Sequence, residues 1–415
     1  DVQSYTFKDD LILRTPIGNG DITLNGALAT GSGSQAGTIT LQAGRSILGI
    51  SGASLTTQGE EIVFNADRDQ GTGTDTGGGN IQLTGTDVAS NGGDIVLGGG
   101  ADPLTTAAIG MGTGGNAEKA GIFLSGGSIN AGVGAISLRG QGIAGTSGAY
   151  GIHLLGGGVI GDAGATGDIT LLATGGAGTS DNHGVYLHGA NTLVNSGGSG
   201  AIDITGHGGI GSGSNNHGVY LAAAAQVSSS GTAAATITLD GTGGKGASGH
   251  RGVYLTGTNT TVQSEVGAIY IIGQGGEGDA TTNYDYLTGI EVASGAQILS
   301  TGTVAGAAAT ITLDGTGGLS TGIKVGSGSG TFGYTENHGV TLNSNALIRS
   351  AYGDITINGT GGTIAAQPHG INASTLRGVY FRTSTVESTG TGVGAAAIIM
   401  NGTGTVTHGQ DQGIW

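Results

Sequence analysis

The chain has 415 residues, 94 of them glycine, with 3 prolines, no cysteine and 4% aromatic side chains, which fits neither an average globular enzyme nor collagen. Its 28 acidic and 12 basic residues give a net charge of −16, which disfavours nucleic acid and anionic membrane surfaces, and no apolar run is long enough to cross a bilayer. No disulfide, thiolate metal site or cysteine nucleophile can form, while 36% hydrophobic residues and a positive mean hydropathy require a buried core.

Internal repeats supply that core. From Asp1 to about Ala120, short apolar units recur every 14 to 23 residues: Asp21–Leu24, Thr38–Leu41, Glu61–Phe64, Asn80–Leu83 and Asp94–Leu97. This spacing predicts shorter coils over residues 1–120. From Gly121 a Gly-apolar-x-apolar unit recurs: Gly121–Leu124, Gly151–Leu154, Gly184–Leu187, Gly218–Leu221, Gly252–Leu255, Gly289–Val292, Gly339–Leu342 and Gly378–Phe381. The central steps are 33 or 34 residues. A second unit follows each, as in Asp168–Leu171, Ala201–Ile204, Thr236–Leu239 and Ala268–Ile271. Between the two lies a weaker apolar point at Val159, Val194, Val227, Val262, Ile298, Ile348 and Val386. Residues 121–415 are therefore expected to form longer coils with Gly/Ser/Asn-rich excursions, continuous with residues 1–120 in one rod.

Within each unit, apolar residues alternate with Tyr, Thr, Asp or Ser, the period-2 pattern of a strand buried on one face. Strands this short must pair with equivalent strands of neighbouring repeats, about 4.8 Å away. The expected fold is thus all-β: a single-stranded parallel β-helix, or β-solenoid, with three short strands per coil. Val185, Leu187, Ile202 and Ile204 should stack inside on Val219, Leu221, Ile237 and Leu239, with Tyr186, Asp203 and Thr238 outside. Glycines between strands are expected to supply positive φ and close backbone approach. The chain starts without methionine, which predicts a removed N-terminal segment, and Gly413-Ile-Trp415 reads as the start of a further coil, which predicts a longer polypeptide or a docked subunit.

The units Asp-Ile-Thr-Leu-Asn-Gly at Asp21–Gly26 and Asp-Ile-Thr-Ile-Asn-Gly at Asp354–Gly359, with their glycine-rich spacers, resemble large secreted bacterial adhesins of the filamentous-haemagglutinin type. The resemblance covers nearly the whole chain. It implies a right-handed β-helix exported across a Gram-negative outer membrane and serving as a surface fibre or adhesin.

Two side-chain columns are candidates for function. His183, His217 and His250 recur just before the first strand of their coils, with His338, His369 and His408 at or near the same place, and would form a histidine ladder. Stacked imidazoles can hold a transition metal or respond to pH. Alternatively, Asn-His-Gly is a turn whose side chains satisfy loop backbone groups. No carboxylate recurs in register to complete a metal shell, so no metal and no cofactor is expected. Tyr186, Tyr220 and Tyr254, continued at Tyr380, would stack as an outward aromatic ladder, either as a stabilising device or as a strip on which sugar rings pack.

Other motifs carry less. Gly110-Met-Gly-Thr-Gly-Gly115 matches a dinucleotide fingerprint, but such matches arise by chance in this composition and no helix is expected after it. The Asp240 and Asp314 of Leu-Asp-Gly-Thr-Gly-Gly read as turn residues. With charged residues at 10% and no acidic cluster on the regular coils, catalysis is not expected. The reading is an extracellular or cell-surface structural or adhesive rod, able to associate end to end into a fibre or to bind host or matrix glycans. The alternative is a polysaccharide-binding or polysaccharide-degrading β-helix.

Overall fold

The structure is a computed structural model that describes residues 2–69, 78–112, 114–231, 233, 235–279, 284–321, 334–365, 374–405 and 413–414. Three long sheets of 11, 12 and 13 strands run side by side, and each coil visits them in that order. Val185–His188 belongs to the first, Leu193–Ser196 to the second and Ile202–His207 to the third. Each strand pairs in parallel with the strand one coil on: Leu187 with Leu221, Val194 with Val227, Ile204 with Leu239. The fold is a parallel β-helix with three strands per coil, as the repeat pattern predicts.

The side-chain period decides what is inside. Val185, Leu187, Ile202 and Ile204 are fully buried, as are their partners Val219, Leu221, Ile237 and Leu239. One hydrophobic cluster runs from Leu11 to Val379 without a break. Burying each such aliphatic side chain contributes about 1.5–3 kcal/mol. At the weak apolar point of one coil it is Ile160, not Val159, that pairs with Val194 and is buried. Two adjacent β-branched residues leave the parity open, and the register of the neighbouring coil settles it.

In residues 1–120 the 14- to 23-residue spacing mixes two kinds of step. Ile39 pairs with Ile62, a whole coil, whereas Ile22 and Ile81 lie in the first sheet and Ile95 in the third. The next coil steps there are longer, from Ile62 to Ile95 and from Ile95 to Ile136. Sequence spacing alone does not distinguish a turn of the helix from a move between its faces.

The third-sheet strands are also longer than expected. Asp240 lies within Ile237–Thr242, and Asp314 within Ile311–Thr316, rather than in a turn. Gly241 follows Asp240 because the entry to the next coil passes directly over it. A Cβ there would overlap the carbonyl oxygen of Gly252, and one on Gly252 would strike the backbone at Gln274. Close approach, not positive φ, is what these glycines provide. Positive φ concentrates instead in the turn from the first sheet to the second, at Gly156 and Gly157, and at Ala223 and Ala224 in the equivalent place.

The excursions pair too. Lys245–Gly246, Glu277–Gly278, Leu319–Ser320 and Thr363–Ile364 form a small parallel sheet, and Tyr284–Asp285, Tyr334–Glu336 and Ser374–Thr375 another. Ile414 forms a parallel bridge with Val379, which aligns Gly413-Ile414 with Gly378-Val379.

Candidate functional site

Stacking equivalent strands of the first sheet places equivalent residues of successive coils in a straight column on its outer face. That column reads Phe123, His153, Tyr186, Tyr220, Tyr254, Glu291, Thr341, Tyr380. Tyr186 stacks on Tyr220 at 4.8 Å with 6° between the planes, and Tyr220 on Tyr254 at 5.1 Å and 5°. His153 extends the stack below Tyr186 at 4.9 Å. Such pairs contribute about 0.5–1.5 kcal/mol each beyond area burial. The predicted tyrosine ladder exists, but its rings are half-buried, and Glu291 and Thr341 interrupt it before Tyr380.

The column at the entry to each first-sheet strand reads Tyr150, His183, His217, Arg251, Thr288, His338, Arg377, because the following glycines align. His183 and His217 stack at 4.9 Å and 2°, and Tyr150 caps them at 5.4 Å from His183. His250 does not join this ladder. Arg251 takes the rung above His217, and His250 occupies the preceding column of buried asparagines, Asn182 and Asn216. His369 and His408 lie outside the described residues.

Hydrogen bonding explains both columns. Nδ1 of His183 accepts the backbone N–H of His217 at 3.2 Å, and Nδ1 of His217 that of Arg251 at 3.2 Å. His338 does the same for Arg377 at 3.3 Å. The asparagine column works in the opposite direction: Oδ1 of Asn182 accepts the N–H of Ala149 at 3.1 Å, and Oδ1 of Asn216 that of Asn182 at 3.0 Å. His250 fills the asparagine role, its Nδ1 accepting from Asn216 at 3.1 Å. Asn-His-Gly therefore satisfies buried backbone donors on two neighbouring coils. An imidazole whose Nδ1 is an acceptor carries its proton on Nε2, which leaves no lone pair for a metal. Among the described residues no three His, Asp or Glu side chains are grouped to hold one.

Burial holds these histidines neutral. It lowers His183 to about 3, with His153 adding a smaller push, and lowers His338 to about 3, with Arg377 adding to it. His217 is driven well below its ordinary value by burial and then by His183 and Arg251. Burial raises Tyr220 to about 12, with Tyr254 adding to the effect.

Where the aromatic column breaks, the face opens. A cleft of about 470 Å³ is lined by Arg251, Glu291, Glu336, His338, Thr341 and Asn343, together with Tyr286 and Tyr380. Two successive rungs without a ring leave room between Tyr254 and Tyr380, about 14 Å apart along a 4.8 Å repeat. Inside it, Arg251 pairs with Glu291 and packs 4.5 Å over the Tyr254 ring, and Asn343 donates to Glu291 at 3.0 Å. The Glu336 carboxyl is raised by burial, eased by Arg377 and reinforced by Glu291. Nε2 of His338 and Oγ1 of Thr341 are buried and have no protein partner. No repeat motif marks this cleft: its acids come from one rung and one excursion strand, and only the register brings them together.

Two of the recurring acids elsewhere bond to the neighbouring coil. Asp168 accepts the N–H of Ala201, and Asp354 that of Ala397, each at 2.8 Å and one coil apart. A single helical turn, Asn116–Lys119, does follow Gly110–Gly115, contrary to expectation, but the carboxylate of Glu118 accepts the N–H of Gly114 at 3.2 Å, where an anion would otherwise sit.

Fold and surface together define a parallel β-helix repeat protein with an aromatic face interrupted by a polar cleft. No family model, curated protein or solved structure matches the chain.

Proposed function

We propose that the chain is an extracellular structural or adhesive rod of the filamentous-haemagglutinin kind, acting at a bacterial cell surface. The unbroken core from Leu11 to Val379 carries this reading. Each interior coil buries aliphatic residues against two neighbours and pairs its backbone with both, so stiffness and stability accumulate along the axis. Unpaired strand edges at the ends of such a stack are templates for end-to-end association. A mechanical role needs no cofactor, and Asp168 and Asp354 each hold the backbone of the next coil.

Negative-stain microscopy of the purified protein tests the fibre. Rods joined end to end are expected, and dispersed particles at all concentrations would remove it. The rival reading, polysaccharide degradation, draws on the two carboxylates that share the cleft. Reducing-end assays on polysaccharides separate the two, since turnover would replace adhesion with catalysis.

A further inference from the structure

We propose that the cleft between Tyr254 and Tyr380 is a binding site for an uncharged segment of a glycan chain. The proposal rests on the adhesive reading and supplies it with a ligand class and a place.

The chemistry of the lining selects the ligand. Its charges compensate one another: Arg251 is paired with Glu291, and Glu336 faces a cleft that Arg382 also lines. A polyanion would meet two carboxylates on a chain of net charge −16, and a metal ion or polycation would meet two guanidinium groups. A neutral polyol meets neither penalty. Sugar hydroxyls are donors and acceptors at once, and the residues lining the cleft carry both kinds: carboxylate acceptors on Glu291 and Glu336, an amide on Asn343, and the buried hydroxyl of Thr341 and imidazole N–H of His338.

Two of these groups are prepared for a partner the protein does not supply. His338 is 1% exposed and Thr341 5%, both line the cleft, and neither Nε2 of His338 nor Oγ1 of Thr341 has a partner in the protein. His338 is locked with its proton on Nε2 because Nδ1 accepts the Arg377 N–H. An unsatisfied buried donor costs about 1–3 kcal/mol, which a ligand hydroxyl would recover. Tyr286 and Tyr380 bring aromatic carbon to the lining, Tyr380 with Arg377 at 4.8 Å over its ring.

The surroundings are extended rather than closed. Arg251 also lines a neighbouring hollow of about 300 Å³ beside Tyr220 and Tyr254, and Ser344 and Thr383 also line another of about 910 Å³. Hollows side by side on this surface suit a chain rather than a single small molecule.

The test is binding of the full chain to a panel of neutral oligosaccharides of hexoses and N-acetylhexosamines, with sulfated and uronic-acid oligosaccharides alongside. Thr341→Val is the informative variant, because it is isosteric and Oγ1 makes no bond in the protein. Wild type should bind neutral members, and Thr341→Val should bind about tenfold more weakly, the effect of one lost hydrogen bond. Glu336→Gln should weaken binding too, while Tyr186→Ala, away from the cleft, should not. If Thr341→Val and Glu336→Gln bind like wild type and Tyr186→Ala does not, the cleft is overturned and adhesion passes to the tyrosine ladder. If only charged oligosaccharides bind, or none, the proposal is also overturned, and the rod stands or falls on microscopy alone.

Discussion

The backbone N–H of Arg251 donates to Nδ1 of His217 at 3.2 Å across the coil boundary, which makes an arginine the rung above two stacked histidines. The same guanidinium then turns over Tyr254 and pairs with Glu291, so one residue ends the aromatic face and begins the cleft. Removing the acceptor tests this arrangement. His217→Ala should cost about 1–3 kcal/mol by leaving that N–H unsatisfied, and His217→Asn, which restores an acceptor, should recover part of it. Hydrogen exchange at the Arg251 amide reads the difference directly, and equal protection in wild type and His217→Ala would contradict it.

Acid should loosen the rod through its buried histidines. Their folded pKa is depressed: about 3 for His153, His183 and His338 against an ordinary 6.5. Below about 6.5 the unfolded chain binds protons that the fold refuses, so stability is fully present above that value and is lost as pH falls toward about 3. Each such histidine contributes about 1.4 kcal/mol per pH unit within the window. The apparent melting temperature is expected to fall between about pH 7 and about pH 5, with a shallower slope in His183→Asn. A melting temperature independent of pH over that range would refute the assignment.

Glycine columns at the corner into the first sheet should be intolerant of a methyl group. Gly252→Ala places a Cβ against the backbone at Gln274, and overpacking of this kind costs about 1–3 kcal/mol or more. Gly115, with nothing near its Cβ position and no positive φ, is the control and should tolerate alanine within about 0.5 kcal/mol. Thermal unfolding of the two variants decides the point, and equal effects would mean that close approach does not explain the glycines of the corner.

Ala224 holds φ at +71° in a turn where the coil containing Gly156 and Gly157 uses glycine. An L-residue in the left-handed region costs about 1–2 kcal/mol, partly offset by the entropy of glycine in the unfolded chain. Ala224→Gly should therefore stabilise the protein by about 0.5–1 kcal/mol. Denaturant unfolding is the measurement, and a loss of stability would show that the methyl group packs favourably there.

Core truncation should be costly at any coil. Leu221→Ala removes a fully buried side chain that stacks between Leu187 and Leu255 and should cost about 2–5 kcal/mol. Hydrogen exchange should show the loss concentrated in the coils on either side, because each repeat touches only its neighbours. A uniform loss along the chain would argue against that quasi-one-dimensional behaviour.

The sequence by itself determined the strands, their inward residues and the stacking of Tyr186, Tyr220 and Tyr254, because a period of two within each unit and a fixed offset between units leave a single way to bury Leu187 on Leu221. Only the tertiary structure decided the rest. Whether Ile160 or Val159 faces inward, and whether His250 or Arg251 joins the histidines, turns on a register shift of one residue, which the glycine-rich spacers do not encode and the neighbouring coil does. The cleft was hidden for the same reason. Glu291 is one rung among many in the chain and Glu336 one residue in an excursion, and they share a space only because coils of unequal length are brought back into line by their backbone hydrogen bonds.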